Sequence, residues 1–239
     1  MSGLHAGAPS MVQRAMDAII GHIRANALRV GDTLPGEGWF AGSLGVSRAV
    51  MREAFRSLAT LKVIDVANGR RARVGAMDGS VIATSLDHAM MTAQITVPQV
   101  WDVRRTIEVR TAALAAASRT SAEASGILEL AQAMSSQLDD LPAMTVHDIA
   151  FHAAIARACH NPLFLQIVSS FAPLMEVAVP AAWRTRAAAA DRAAMVDRHR
   201  AVALAIYRQD PPAAAAAMES HFDTAVGALL EATVRPAAA

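Results

Sequence analysis

One cysteine, Cys159, stands in the whole sequence, so no internal disulfide framework is available and a reducing compartment suits the chain. Uninterrupted apolar runs of about 18 residues are also missing, which excludes an ordinary membrane-spanning helix. The first ten residues, MSGLHAGAPS, lack the charged and apolar segments of a secretory signal. The expectation is a soluble, cytoplasmic protein with no membrane partner. Nor is there much net charge: the total is +1. What is abundant is hydrophobic character, 54% of the residues, much of it alanine. Alanine at that level signals helix propensity more than membrane affinity. With 239 residues the chain exceeds one average domain, and two are expected.

The small net charge conceals an uneven distribution. Residues 1–78 carry 10 basic against 6 acidic side chains, or +4, while residues 79–239 carry 12 against 15, or −3. A basic head on a mildly acidic body fits a head that meets phosphate.

Within that head, Val12, Ala15, Ile19 and Ile23 recur as one apolar face of a helix over 11–27. Val30-Gly31-Asp32 breaks it. Glu37 to Leu44 reads as a short helix with Trp39 and Phe40 as core candidates, followed by a turn at Gly45-Val46. Ser47 is a good N-cap for the next helix, 47–61. There Val50, Ala54, Leu58 and Leu61 share the core spacing, while Arg48, Arg52 and Arg56 recur every four residues on another face. Arginine grips guanine edges or phosphate, and a helix with one apolar and one arginine face can seat on its domain while reaching DNA. A solvated surface stripe explains the arginines equally well; the turn before them and the strands after them favour DNA. Val63 to Ala67 is β-rich, Asn68-Gly69 signals a hairpin, and Ala72 to Val74 resumes the strand. Arg70 and Arg71 then sit beside the hairpin tip. Helix, turn, basic helix and ribbon together describe a winged helix-turn-helix over 1–75.

LP-x-E, then LGVSR-x-x-x-REA-x-x-x-L, then an NGR-tipped wing resembles the DNA-binding domain of the GntR family of bacterial regulators, over roughly residues 10–75. The resemblance implies operator contacts from Arg48 and Arg52, with Ser47, Gly69, Arg70 and Arg71 completing the DNA-binding set. Two positions depart from the pattern. Gly38 stands where the family usually has an arginine, and Arg71 where the wing usually has a second glycine. Both bear on which operator is read.

Residues 76–80, AMDGS, read as a linker. From 81 to 235 the pattern is helical throughout, without a β-rich alternating stretch. Helices are expected near 81–94, 98–118, 121–139, 144–159, 163–182, 188–209 and 212–233, separated at proline and Thr120-Ser121 breaks. The fold class is therefore mainly α, a winged helix-turn-helix followed by an all-α bundle of about six to seven helices. The tail from Arg235 is expected to fray.

Four residues of the bundle are candidate ligands. Asp148 and His152 lie at i and i+4, on one helix face. His199 and His221 each lie 11 residues from Asp210, where the chain turns. In a helical hairpin both imidazoles then stand roughly 16 Å from that turn, at the same level. One carboxylate and three imidazoles suit a borderline divalent ion such as Zn, Ni, Co or Mn. Spacing alone leaves the alternative open: an Asp–His surface contact and two unremarkable helical histidines. His5, His22, His88, His147 and His160 look ordinary, and Trp183 either lines a pocket or caps the core.

D-x-x-FH, then NP-x-x, then two histidines on the last two helices is similar to the ligand-binding domain of the FadR subgroup of GntR regulators, as is VWDVRRTIEVRTAALAA. That resemblance implies a divalent metal (Zn, Ni or Mn) held by Asp148, His152, His199 and His221. It also implies that Arg104 meets an effector carboxylate, against the simpler reading of an i,i+4 pair with Glu108; Arg105 is a neighbour able to exchange roles with it. The expected protein is not an enzyme. It is a homodimeric regulator, a repressor, reading a pseudo-palindromic double-stranded DNA operator under control of a small carboxylate such as an organic or sugar acid. The competing readings are a direct metal sensor and a metal-dependent hydrolase, for which Glu108 is the one nearby candidate base.

Overall fold

The computed structural model describes residues 9–185 and 188–234. They fall into two units, Met1–Val81 and Ile82–Ala239.

The first unit holds α1 (Met11–Ala25), α2 (Glu37–Leu44), α3 (Arg48–Thr60), β1 (Ile64–Asp65) and β2 (Arg73–Val74). Ser10 starts α1 by accepting from the Gln13 amide, and Ala15 and Ile19 bury its apolar face, with Val12 and Ile23 half-covered. Gly45 closes α2 in the left-handed region (φ 66°), a conformation that costs glycine little. The core joins these to Phe40, Met51, Ala54, Phe55 and Leu58. Two expectations change here. Trp39 is 55% exposed, its ring edge-on to His22, while its neighbour Phe40 takes the interior against Phe55. On α3 the buried face is Met51, Ala54, Phe55 and Leu58; Val50 is half-buried, and Leu61 lies past the helix end, exposed.

The ribbon is shorter than its sequence suggests: Ile64 pairs with Val74 and Asp65 with Arg73, antiparallel. Its tip turns through Asn68-Gly69, with the Arg70 amide bonded to the Ala67 carbonyl and Gly69 at φ 73°. A further segment flanks β2. Thr33 bridges Arg73, and the amides of Gly31, Leu34 and Val74 bond to Val74, Ala72 and Asp32 carbonyls. The stretch after α1, legible only as a helix breaker, thus supports the wing.

The second unit is all-helical among the described residues: α4 (Ser80–Met91), α5 (Val97–Ser118), α6 (Ser121–Ser136), α7 (Leu141–Ala158), α8 (Pro162–Ser170), α9 (Ala172–Thr185), α10 (Ala189–Tyr207) and α11 (Pro211–Val234). That is eight helices where six to seven were expected. The segment expected as one helix over 163–182 is two, bent by 53° at Phe171, which is itself buried. Pro98, Pro142 and Pro162 sit in first turns, where the missing amide costs nothing, whereas Pro180 lies inside α9. Capping boxes start α5 (Thr96, Gln99) and α6 (Thr120, Glu123).

Helix α5 packs against α7, α8, α10 and α11, while α6 lies on α7 and α10, and α9 on α7 and α11. Fully buried alanines, including Ala112, Ala115, Ala116, Ala131, Ala203 and Ala214, let these axes approach closely around Phe151, Phe222, Met134 and Ile155. No single helix among the described residues is long and apolar enough to cross a membrane. His5 and the tail from Arg235 lie outside the described residues.

Candidate functional site

The head presents a basic surface. Ser47 begins α3, its Oγ accepting from the Val50 amide at 3.2 Å, and Arg48, Arg52 and Arg56 are all exposed along that helix. Arg52 lies 3.6 Å from Glu37 on α2, a solvent-exposed pair that steadies the side chain without burying it. Arg70 and Arg71 are exposed beside the turn at Gly69. Arg73, by contrast, is spent on structure, donating to the Gly31 carbonyl at 2.8 Å.

In the second unit α5, α7, α9, α10 and α11 surround a small cavity of about 30 Å³. Arg104, Asp148, His152, His199 and His221 line it, and each is more than nine-tenths buried. The His152, His199 and His221 rings offer nitrogens that all lie within 4.8 Å of one another. The Asp148 Oδ1 joins them, 3.0 Å from His199 Nε2 and 4.0 Å from His152 Nε2.

The polar partners behind these groups decide what they can hold. His199 Nδ1 faces the Met195 carbonyl at 3.0 Å, and His152 Nδ1 faces the Glu108 carboxylate. Both partners only accept, so both Nδ1 atoms donate. That leaves each Nε2 facing the Asp148 Oδ1, either donating a second proton to it or presenting a lone pair. With the lone pairs free, the imidazoles and the carboxylate are a donor set that fits a divalent ion. Burial alone would raise the Asp148 carboxyl, but the His199 hydrogen bond and the His152, His199 and Arg104 charges outweigh it, holding the group at about 2. Burial likewise works against the Glu108 carboxylate; Arg104 and His152 overcome it and keep it below its usual range. Arg104 donates through Nε to Glu108 at 2.7 Å, and its guanidinium lies 5.0 Å from the Trp101 ring and 5.5 Å from that of Phe222.

The two units match known families separately. Residues 11–74 match the bacterial regulatory proteins of the gntR family, and residues 99–224 match the FCD domain. The chain belongs to the gntR family. It is a GntR-family transcriptional regulator with an FCD effector-binding domain. Among its relatives it is 29% identical over 153 residues to the Bacillus subtilis HTH-type transcriptional regulator LutR, covering 64% of this chain and 70% of LutR. It is 32% identical to the Escherichia coli K12 Glc operon transcriptional activator across 62% of this chain, spanning 60% of the activator's length. The galactonate operon transcriptional repressor of the same strain is 28% identical over 77% of this chain and 81% of its own. The solved structure of Streptococcus agalactiae GntR superposes with a TM-score of 0.63 at 23% identity, over 89% of this chain and 98% of that one, which shows the fold.

In this GntR regulator the sequence-derived residues separate cleanly by unit. Ser47, Arg48, Arg52, Gly69, Arg70 and Arg71 lie on α3 and the wing tip; Arg104, Asp148, His152, His199 and His221 meet in one cavity. Arg104 makes the simpler contact, the i,i+4 pair with Glu108, and also lines the cavity. Arg105 cannot exchange roles with it, being turned to Glu219 and Asp223 on α11. Trp183 lines the cavity. Among the remaining histidines, His147 bonds Gln137 and His160 bonds Glu123. One contributor and one role were not recognised from sequence. Trp101 shares the cavity wall with Arg104, and Glu108, expected as the partner of Arg104 or a hydrolase base, also faces His152 Nδ1. Their helical offsets from Arg104, −3 and +4, were the available signal.

Proposed function

We propose that this chain is a homodimeric repressor whose operator affinity is set by a small carboxylate bound at a divalent metal in the FCD domain. The reading rests on one observation: Asp148, His152, His199 and His221 converge in a buried cavity that also holds the Arg104 guanidinium. A metal bound there would offer open coordination positions to an anionic oxygen, four protein ligands leaving about two on an octahedral ion. Asp148, His152, His199 and His221 are the ligands proposed, with Glu108 and the Met195 carbonyl orienting two of the rings. Arg104 contributes a charge-assisted hydrogen bond to the effector carboxylate. In each head Arg48 and Arg52 read base edges or phosphate, supported by Ser47, and the wing presents Gly69, Arg70 and Arg71 to the backbone. Two heads on one two-fold suit a pseudo-palindrome. Helix α4, which begins at Ser80 and runs through the boundary of the two units, is the element proposed to carry the signal. The relatives include an activator and a repressor, so polarity is part of the test.

The hydrolase alternative loses its base: Glu108 is engaged through one oxygen by Arg104 and through the other by His152. The experiment is an operator titration by fluorescence anisotropy, with metal-loaded protein and a panel of organic and sugar acids. An active acid shifts operator affinity 5–150-fold, the range of a coupling of about 1–3 kcal/mol. His199→Ala abolishes the shift and spares operator binding, whereas Arg52→Ala weakens operator binding and spares metal uptake. A shift produced by metal alone, insensitive to every acid, replaces this reading with direct metal sensing. No shift with any acid or metal overturns it.

A further inference from the structure

We propose that the head carries a DNA contact apart from its arginine helix: a groove between α1, α2 and the wing, in which the Trp39 ring packs on a deoxyribose of the duplex backbone beside a phosphate met by Arg71. The inference rests on the DNA-binding reading of the head and adds a residue to it.

Trp39 is singled out by its exposure. Tryptophan carries a large apolar area, and Trp101 and Trp183 bury theirs, being 6% and 7% exposed; Trp39 is 55% exposed. Leaving that much ring in water forgoes stabilisation that burial would supply. Nor does the ring hang loose. It stands edge-on to His22, centroids 5.3 Å apart, and to the buried Phe40, centroids 5.0 Å apart. A ring already fixed in place loses little freedom when a partner covers it.

The surroundings identify the partner. Trp39 lines an open groove of about 430 Å³ with His22, Asn26, Thr33, Gly36 and Arg71. Among the described residues no carboxylate lines it, Arg71 brings a cation to it, and residues 1–78 carry a net +4. An anionic backbone is the complementary occupant. Position agrees with charge. At one end Gly36 adjoins Glu37, which lies 3.6 Å from Arg52 on the reading helix. At the other, Arg71 follows the turn at Gly69 by two residues. The groove therefore joins the two elements that face DNA, and a strand held by both lies along it. In a duplex the bases cover one another's faces, so the backbone offers a flat apolar ring the carbon edge of its sugars. Contact there carries no sequence information. Trp39 adds affinity without discrimination and, unlike Arg71, neutralises no phosphate.

The test takes full-length protein and an arbitrary duplex of about 30 base pairs at about 50 mM salt, where sequence-independent binding is strong. With Trp101 and Trp183 buried, acrylamide quenching of tryptophan fluorescence reports chiefly Trp39, and Trp39→Phe identifies its share. Saturating duplex should lower the quenching constant of that share about twofold, since covering one face of a ring halves its open area. Anisotropy of the labelled duplex shows independently that the complex has formed. Trp39→Ala should weaken binding roughly 5- to 8-fold per head, the value of about 40–50 Å² of ring no longer removed from water. The slope of log Kobs against log salt should stay as it is. A complex in which Trp39 remains fully open to acrylamide overturns the proposal and leaves the DNA-binding reading standing. A slope that falls together with affinity makes Trp39 a support for the arginines rather than a contact, and overturns it as well. Protection that rises with protein concentration in the absence of DNA assigns the groove to a second copy of the chain, with the same consequence. If Trp39→Ala does not fold, quenching of the unsubstituted protein decides. If no duplex binds at all, the DNA-binding reading falls together with this one.

Discussion

Asp148 and Glu108 are both buried carboxylates one side chain away from His152, yet they do different work. Glu108 lies behind the ring, on Nδ1, and Asp148 in front, among the Nε2 atoms. Replacing Glu108 with Gln keeps the shape but removes the charge that fixes the His152 tautomer. Zinc affinity should fall 10–100-fold, as is typical when such an orienting partner is lost, and competition against a chromophoric chelator reads it. Asp148 gives a pH signature in protein stripped of metal. Its carboxyl is held at about 2 against an ordinary 3.8. A depressed native value stabilises the fold above pH 3.8, and that contribution drains away as pH falls toward 2. Thermal melts between pH 5 and 2.5 should therefore steepen in the native protein relative to Asp148→Asn, whose curve lacks this component. Parallel curves would refute the assignment. That Asp148, His152, His199 and His221 could meet was suggested by i,i+4 spacing and equal distances from one turn, but spacing left surface contacts open and only the family resemblance named the set. The role of Glu108 at His152 was not legible, since it needs α5 to pack on α7. Trp39 was misread for a related reason: in an eight-residue helix two adjacent large rings compete for one interior position, and periodicity does not choose between them.

At the scale of elements, helix starts were more legible than helix faces. Ser47, Thr96, Thr120, Asp140 and Asn161 all precede helices, and a short side-chain acceptor before a first turn is a local feature. The core face of α3 was displaced because valine at 50 and methionine at 51 are equally apolar, and the interior took the longer one. The bend at Phe171 was invisible, since the sequence stays apolar on both sides of it and only the packing of α8 and α9 on α7 separates them. The same local logic gives a prediction for the reading helix. Ser47→Ala leaves the Val50 amide without its side-chain partner and should cost about 1 kcal/mol. Amides in the first turn of α3 should then exchange roughly fivefold faster by hydrogen-exchange mass spectrometry, with Ser47→Asp restoring protection. An unchanged rate would mean the cap contributes nothing to the helix that carries Arg48 and Arg52.

For the molecule as a whole, charge and the proposed two-fold symmetry combine into one measurable number. The excess of basic residues is confined to residues 1–78, so the phosphate contacts of each head are few and individually countable. Each contact releases counterions, and log Kobs for operator binding falls with log salt at a slope of about −0.9 per phosphate neutralised. Arg71 is exposed at the wing and makes no hydrogen bond or ion pair with another described residue, which makes it a clean subtraction. In a homodimer every substitution is made twice. Arg71→Ala should therefore reduce the magnitude of the salt slope by about 1.8, against about 0.9 for a single head on the operator. Anisotropy titrations from 50 to 300 mM potassium salt resolve that difference. The reduction should also be the same on operator and on unrelated duplex, because phosphate contacts carry no sequence information. A slope change confined to the operator would instead make Arg71 a base-reading residue, and would explain why arginine occupies a position where the related wings have glycine. No change on either duplex would remove the wing tip from the interface and leave α3 to account for recognition by itself.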